Sequence, residues 1–350
     1  RSTQRRSSAA SDVYKRQVIK ENRMKLPIED ALKLVVEVMK KYGHNEEYAM
    51  IIAEHIIDCE LRGLAYGGLA RIVSITERLD RTGTPDRPVE TIHETPVSAR
   101  LDGRDNLGYV VALKATEIAI EKASVSGISL VGANETWYTG MLSYFAEIAA
   151  ARGMISIIAS NATPWVAPHG AVDGRFGTNP ICFGFPSERD PVIWDIGTSS
   201  IMHAEVMLAR RLGNEIGDGL AFDAAGNPTQ DPEAALGGAF TPWGGHKGAG
   251  LGMIVQMLGI LAGSPVEPPD LAGFGFLIIA MKPDLLMPEP EYRRKVSAYA
   301  EYVRSARPVS GGEAVRMPFE RSARVRRQRL EENEIEVSDL VYKRLNNIIN

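Results

Sequence analysis

The chain has 350 residues, 44% hydrophobic and 24% charged, with a formal net charge of −4. That length supports a large core, and the mild acidity gives no bias toward polyanions, so nucleic acid is not an expected partner. No apolar run reaches the ~18 residues of a membrane-spanning helix. The two cysteines, Cys59 and Cys182, sit among apolar neighbours and read as buried free thiols in a cytoplasmic protein.

Residues 1–17 are basic, Ser-rich and without periodicity, and residues 7–17 look like a translated sequencing-adapter tail. Residues 1–23 are therefore set aside as a non-native, disordered tail, with Met24 the expected native start. Ile28, Leu32, Val35, Val36 and Met39 form one helical face over 28–41. Asn45 is a good N-cap for a second helix, with Glu46 and Glu47 in its first turn and an apolar face running from Met50 to Leu61. After a turn at Gly67-Gly68, a third helix over 69–79 is closed by Gly83 and Pro85.

From Val89 the texture changes. Strands are predicted over 97–102, 128–131, 155–160, 181–185 and 192–195, with helices over 109–123 and 142–152 between them. The pattern at 206–211 is too brief to separate helix from strand. Residues 213–239 are polar and rich in Gly, Asp and Pro, which predicts a surface loop. A helix over 249–262, a buried strand over 275–281, a helix over 289–307 and a charged, mostly helical tail over 321–350 complete the chain. Alternating strands and helices predict an α/β core. The helical ends predict a smaller, mainly helical domain built from 24–88 with 289–350 around an α/β unit at 89–288.

No Gly-x-Gly-x-x-Gly follows a strand: Gly248, Gly250 and Gly252 are spaced two apart. Lys247 is followed by Gly248 rather than Ser or Thr, so this is no P-loop either. The block Gly244-Gly245-His246-Lys247-Gly248 still opens a helix with glycines and a lysine, which suits an anion. The alternative is a Gly-rich turn with a solvated lysine. Asp195-Ile196-Gly197-Thr198-Ser199 closes a strand, either as a ligand turn or as an ordinary Asx or Ser/Thr turn. Gly177-Thr178-Asn179-Pro180 reads as a strand-entry turn in which Asn179 bonds its own backbone. No His, Cys or carboxylate cluster has metal-ligand spacing, so no metal is expected.

These segments, together with Asn161, Pro164, Pro168 and Gly170, resemble the type-2 malate/lactate dehydrogenase family across 26–345. The resemblance implies an oxidoreductase moving hydride between NAD or NADP and a small 2-oxo acid, 2-hydroxy acid or cyclic imino acid. It implies a non-Rossmann nucleotide domain with a mixed sheet, and a homodimer. It assigns the cofactor to Thr178, Asn179, Asp195, Thr198, Ser199, His246, Lys247, Gly312 and Glu313. It assigns the substrate carboxylate to Arg71, with Asn134 nearby. The family's catalytic histidines are replaced. Tyr66-Gly67 stands where the family has Ser-His, and residues 134–140 hold no histidine. Ile75 stands for a tyrosine and Glu205 for a lysine. A carbonyl or imine receiving hydride needs a proton, and the donors that remain are Tyr66, Tyr138 and His169, each of which reads equally as a structural residue. His44, His55, His93 and His203 have no motif around them and are expected to be structural or exposed. The competing reading is a nucleotide-binding sensor or partner subunit without hydride chemistry.

Overall fold

The computed structural model describes residues 22–350, so the expectations for residues 1–21 lie outside the described residues. The two ends of the described residues meet. Strand β1 (Arg23–Pro27) pairs antiparallel with β12 (Glu334–Ser338), placing Met24 opposite Val337. Alternate residues Leu26, Ile335 and Val337 turn inward, as a half-buried ribbon requires. Helices α1 (Ile28–Lys41), α2 (Glu46–Leu61) and α3 (Leu69–Thr82) follow β1, and α10 (Glu320–Glu332) and α11 (Asp339–Ile349) pack back onto them. The Asn45 side chain caps α2 by accepting from Tyr48 N at 2.8 Å. The apolar face expected on α2 exists, but Ile52, Ile56, Ile57 and Leu61 are buried in the chain's own core and are not left for a partner.

The remainder is built on a seven-stranded sheet in the order β2-β3-β4-β11-β5-β6-β7. Its strands are β2 (Glu90–Glu94), β3 (Ser98–Leu107), β4 (Ile128–Trp137), β5 (Ile155–Ser160), β6 (Ile181–Phe185), β7 (Val192–Ile196) and β11 (Phe274–Met281). Only β3 and β4 run parallel, joined by α4 (Gly108–Ser126); every other neighbouring pair is antiparallel. The sheet is therefore mixed, not the doubly wound parallel sheet of a Rossmann domain. Period-two alternation sorts its faces. Ile158 and Cys182 join the large core with α2, α4 and α5 (Leu142–Ala151), whereas Ala159 and Ile181 pack on Val255 of α8 (His246–Leu261). Both cysteines are buried free thiols, as expected.

Several elements depart from the sequence expectation. Strands β3 and β4 run on to Leu107 and Trp137, through polar residues and positive-φ positions at Arg104, Asp105 and Glu135 that break the alternation. Strand β2 was missed because it is exposed along its whole length and carries no pattern. Residues 213–239 are no loop. They contain β8 (Ala221–Phe222), β9 (Pro228–Thr229) and α7 (Pro232–Leu236), and β8 also pairs with β10 (Ala239–Phe240) in a three-stranded sheet. Two-residue strands are too short to show a period, and this sheet is held by a small core that includes Val166, Phe176, Ala221 and Phe240. The segment at 206–211 belongs to helix α6 (His203–Leu212).

Candidate active site

Arg71 stands in the first turn of α3 and is buried. Its guanidinium lies over the Tyr138 ring, 4.2 Å from the centroid. Its Nη1 has no hydrogen-bond partner, and no ion pair reaches it among the described residues. Tyr138 follows β4 in a positive-φ conformation (48°), which turns the chain out of the sheet toward α3. Burial pushes the Tyr138 phenol above its ordinary pKa of 10.0, and the Arg71 and Arg211 charges pull against that shift.

A third side chain completes the cluster. His203, at the start of α6, stacks flat on Trp165 (3.9 Å between centroids, 7° between planes), and its ring centre is 6.5 Å from that of Tyr138. Its Nδ1 is buried without a partner. Burial draws its pKa well below 6.5, reinforced by the Arg71, Arg210 and Arg211 charges, so it is neutral at neutral pH. The helix that presents it is fixed by Glu205, whose carboxylate accepts from Met202 N at 2.8 Å. Arg211 of α6 donates to Glu77 (2.6 Å) and to Ala70 O (3.3 Å), which fastens α6 to the helix carrying Arg71. The chain itself gives no signal for His203, because its neighbours Trp165, Tyr138 and Arg71 come from three other segments.

Of the predicted proton donors, Tyr138 is in contact with Arg71. Tyr66 is half-buried on the turn that opens α3. His169 is exposed beside Gly245, its ring 6.1 Å from that of His246, and so belongs to the start of α8. Asn134 lies on β4 against Gly263, just past α8, with its Oδ1 buried and unbonded; no described contact joins it to Arg71. Gly67 holds an ordinary backbone conformation, so the position does not require glycine.

The predicted nucleotide residues divide into two groups. Thr178, Asn179, Thr198 and Ser199 are buried and tie the strand-end turns together. Asn179 does not bond its own backbone as expected. It donates to Gly252 O (2.8 Å) and Gln256 Oε1 (3.1 Å) and accepts from Ala162 N (3.2 Å), locking the turn before β6 onto α8. The Thr198 hydroxyl donates to the Thr178 and Asn179 carbonyls, and Ser199 Oγ donates to Ile201 O. Asp195 accepts from Ser143 N at 2.7 Å, capping α5; burial raises its pKa and that N–H opposes the rise.

His246 and Lys247 are exposed at the start of α8. The N-cap residue Gly245 supplies no side-chain cap, and both Gly244 (φ 64°) and Gly245 (φ 65°) take the left-handed backbone that glycine permits. The first N–H groups of α8 are thus left uncapped beside a lysine, which fits the pyrophosphate of a dinucleotide. Gly312 and Glu313 lie on an exposed loop between α9 (Glu289–Arg304) and α10, where Glu313 pairs with Arg316 (2.9 Å). No described contact links that loop to the start of α8.

Comparison with known proteins agrees with this architecture. A family model described as malate/L-lactate dehydrogenase matches residues 26–346. The L-sulfolactate dehydrogenase of Methanocaldococcus jannaschii is 33% identical over 93% of this chain and 97% of its own length. The NAD(+) ureidoglycolate dehydrogenase of Escherichia coli O157:H7 is 31% identical over 92% and 95%. A dehydrogenase structure from Sinorhizobium meliloti superposes with a TM-score of 0.87 at 28% identity, covering 94% of this chain and 99% of that one. The chain is an oxidoreductase and belongs to the malate/L-lactate dehydrogenase family.

Proposed function

We propose that the chain reduces a small 2-oxo acid or cyclic imino acid, or oxidises the matching 2-hydroxy acid, with NAD or NADP. One observation carries this reading: Arg71 is a buried cation with an unbonded guanidinium nitrogen and no counter-ion among the described residues. A buried charge without a partner is costly, and a substrate carboxylate supplies the planar anion that a guanidinium fits. The bound nicotinamide contributes the hydride chemistry. The protein's part is to anchor the carboxylate on Arg71, to offer the Tyr138 hydroxyl to the carbonyl or imine, and to wall the pocket with the His203–Trp165 stack. Lys247 and the uncapped N–H groups of α8 are the proposed pyrophosphate contacts, with His246 and His169 beside them. In this reading segment 24–88 supplies Arg71, and segment 89–288 supplies Tyr138, His203 and the nucleotide contact at Lys247.

We also propose a homodimer. The face expected to serve it, on α2, is spent inside the chain. Helix α8 instead exposes Met253, Ile254, Met257, Ile260 and Leu261 along one stripe.

The test is steady-state reduction of oxaloacetate, pyruvate and Δ1-piperideine-2-carboxylate with NADH and NADPH. Arg71→Ala is expected to raise KM by about tenfold or more, in line with a lost charge-assisted bond of roughly 1.5–3 kcal/mol. A wild type that turns over none of these acids with either cofactor sinks the substrate assignment.

A further inference from the structure

Glu60 lies near the end of α2, yet its side chain acts on α3. Its Oε1 accepts from Leu69 N, the first residue of α3, at 2.7 Å in a fully buried setting. Helix α3 has no cap of its own, because the N-cap residue Gly68 has no side chain. A Cβ at Gly68 would stand 2.1 Å from that carboxylate oxygen, so the glycine is the space into which the borrowed cap fits. Arg71 closes the same turn, its N–H donating to Gly68 O at 2.8 Å. No ion pair reaches Glu60 among the described residues. The positive end of α3 is therefore its principal support.

We propose that Glu60 is a positioning residue for substrate binding: it holds the first turn of α3 so that the Arg71 guanidinium stays over Tyr138 with Nη1 free for the carboxylate. The proposal rests on the assignment of Arg71 to the substrate carboxylate. Local helix stability alone does not require this arrangement, since a Ser or Asp at the N-cap would serve α3 directly. A carboxylate brought from α2 instead couples α2 to the turn that carries the substrate anchor.

The arrangement also makes substrate binding depend on pH. Burial lifts the Glu60 pKa to about 7, against the Leu69 N–H and the Arg329 and Arg23 charges. The groups facing it are Leu69 N–H from α3, Arg329 of α10, which donates to the Glu60 carbonyl, Arg23 of β1, and Cys59 on its own helix, whose thiol burial keeps protonated. Above pH 7 the carboxylate caps α3 as an anion. Below it the neutral acid is a weaker acceptor with no charge for the helix dipole. Substrate carboxylates keep their charge across this range.

The experiment measures KM for the best-reduced 2-oxo acid, and the Kd of oxalate by calorimetry as a non-reacting carboxylate, from pH 5.5 to 8.5. In the wild type both are expected to rise about three- to tenfold from pH 8 to pH 6. Glu60→Gln, which is isosteric and keeps an acceptor, should lose that dependence and hold the weaker low-pH affinity throughout. Glu60→Ala should bind oxalate weakly, and Glu60→Ala/Gly68→Asp should recover affinity by capping α3 locally, without the transition near pH 7. NADH affinity should stay within about twofold in every variant, which separates the effect from misfolding. Glu60→Gln with the wild-type pH dependence overturns the proposal and leaves the Arg71 assignment intact. Arg71→Ala with wild-type oxalate affinity overturns that assignment, and the positioning role falls with it.

Discussion

Arg71 and Tyr138 explain each other. A guanidinium 4.2 Å above a buried phenol ring is stabilised by the ring face, and its Nη1 has no partner. The phenol, raised above its ordinary pKa by burial, keeps its proton at neutral pH and so has one to give. At saturating substrate, kcat for reduction is therefore expected to stay flat from pH 6 to 9. Tyr138→Phe should lower kcat by roughly 10²–10⁴, whereas Tyr66→Phe and His169→Gln should leave it within a few-fold. Full turnover in Tyr138→Phe would remove Tyr138 as the proton donor.

Helix α8 joins two jobs. Its start offers uncapped N–H groups and Lys247, while Asn179 and Gln256 fix its body against the turn before β6. The rigid element thus carries the proposed anion site, where Lys247 is exposed. Fluorescence titration should show Lys247→Ala binding NADH more weakly by about 1.5–3 kcal/mol, with oxalate affinity unchanged. An unaltered NADH Kd would remove Lys247 from the cofactor site. The buried hydroxyls of Thr198 and Ser199 are already committed to main-chain carbonyls, so alanine there should cost stability before it costs cofactor affinity.

At the scale of the molecule, the α8 stripe and two buried histidines give checkable consequences. Ile254, Met257 and Leu261 are each more than half exposed. Light scattering at micromolar concentration is expected to give a dimer mass, and Met257→Glu/Leu261→Glu to shift it toward monomer. A monomeric wild type rules out the homodimer. His44 and His55 are buried, with pKa values drawn down by burial to about 4 and about 3. His55 stacks on Tyr109 at 4.2 Å and accepts from Met141 N at 3.0 Å. In the unfolded chain both titrate near 6.5, so it takes up protons first as pH falls. The stability due to their neutral forms is complete above pH 6.5 and is lost toward pH 4 and 3. Glu60 acts oppositely between pH 7 and 4.5, since its pKa is raised. The urea midpoint should therefore drop most steeply below about pH 5. A midpoint constant from pH 7 to 4 would contradict this account.

The chain's own patterns determined most local elements and pointed to the proposed cofactor end of the site. Helical periodicity marked α1 to α4, the Asn45 cap set the start of α2, and the glycines before Lys247 announced the open start of α8, because backbone propensity and capping act within a few residues. Strands β2 and β12 and the small sheet around β8 were not legible. They are exposed, short or set in charged sequence, and only pairing with distant strands stabilises them. At the proposed substrate end the resemblance had named Arg71 and Tyr138, but only the tertiary structure brought His203 and Trp165 to them. Arg71, Tyr138, His203 and Trp165 lie on four separate segments. They meet because β4 turns out of the sheet at Tyr138 and because Arg211 and Glu77 clamp α6 to α3. The same packing spent the α2 face and tied Asn179 to α8 rather than to its own turn, since burial obliges each polar group to find a partner wherever the fold brings one.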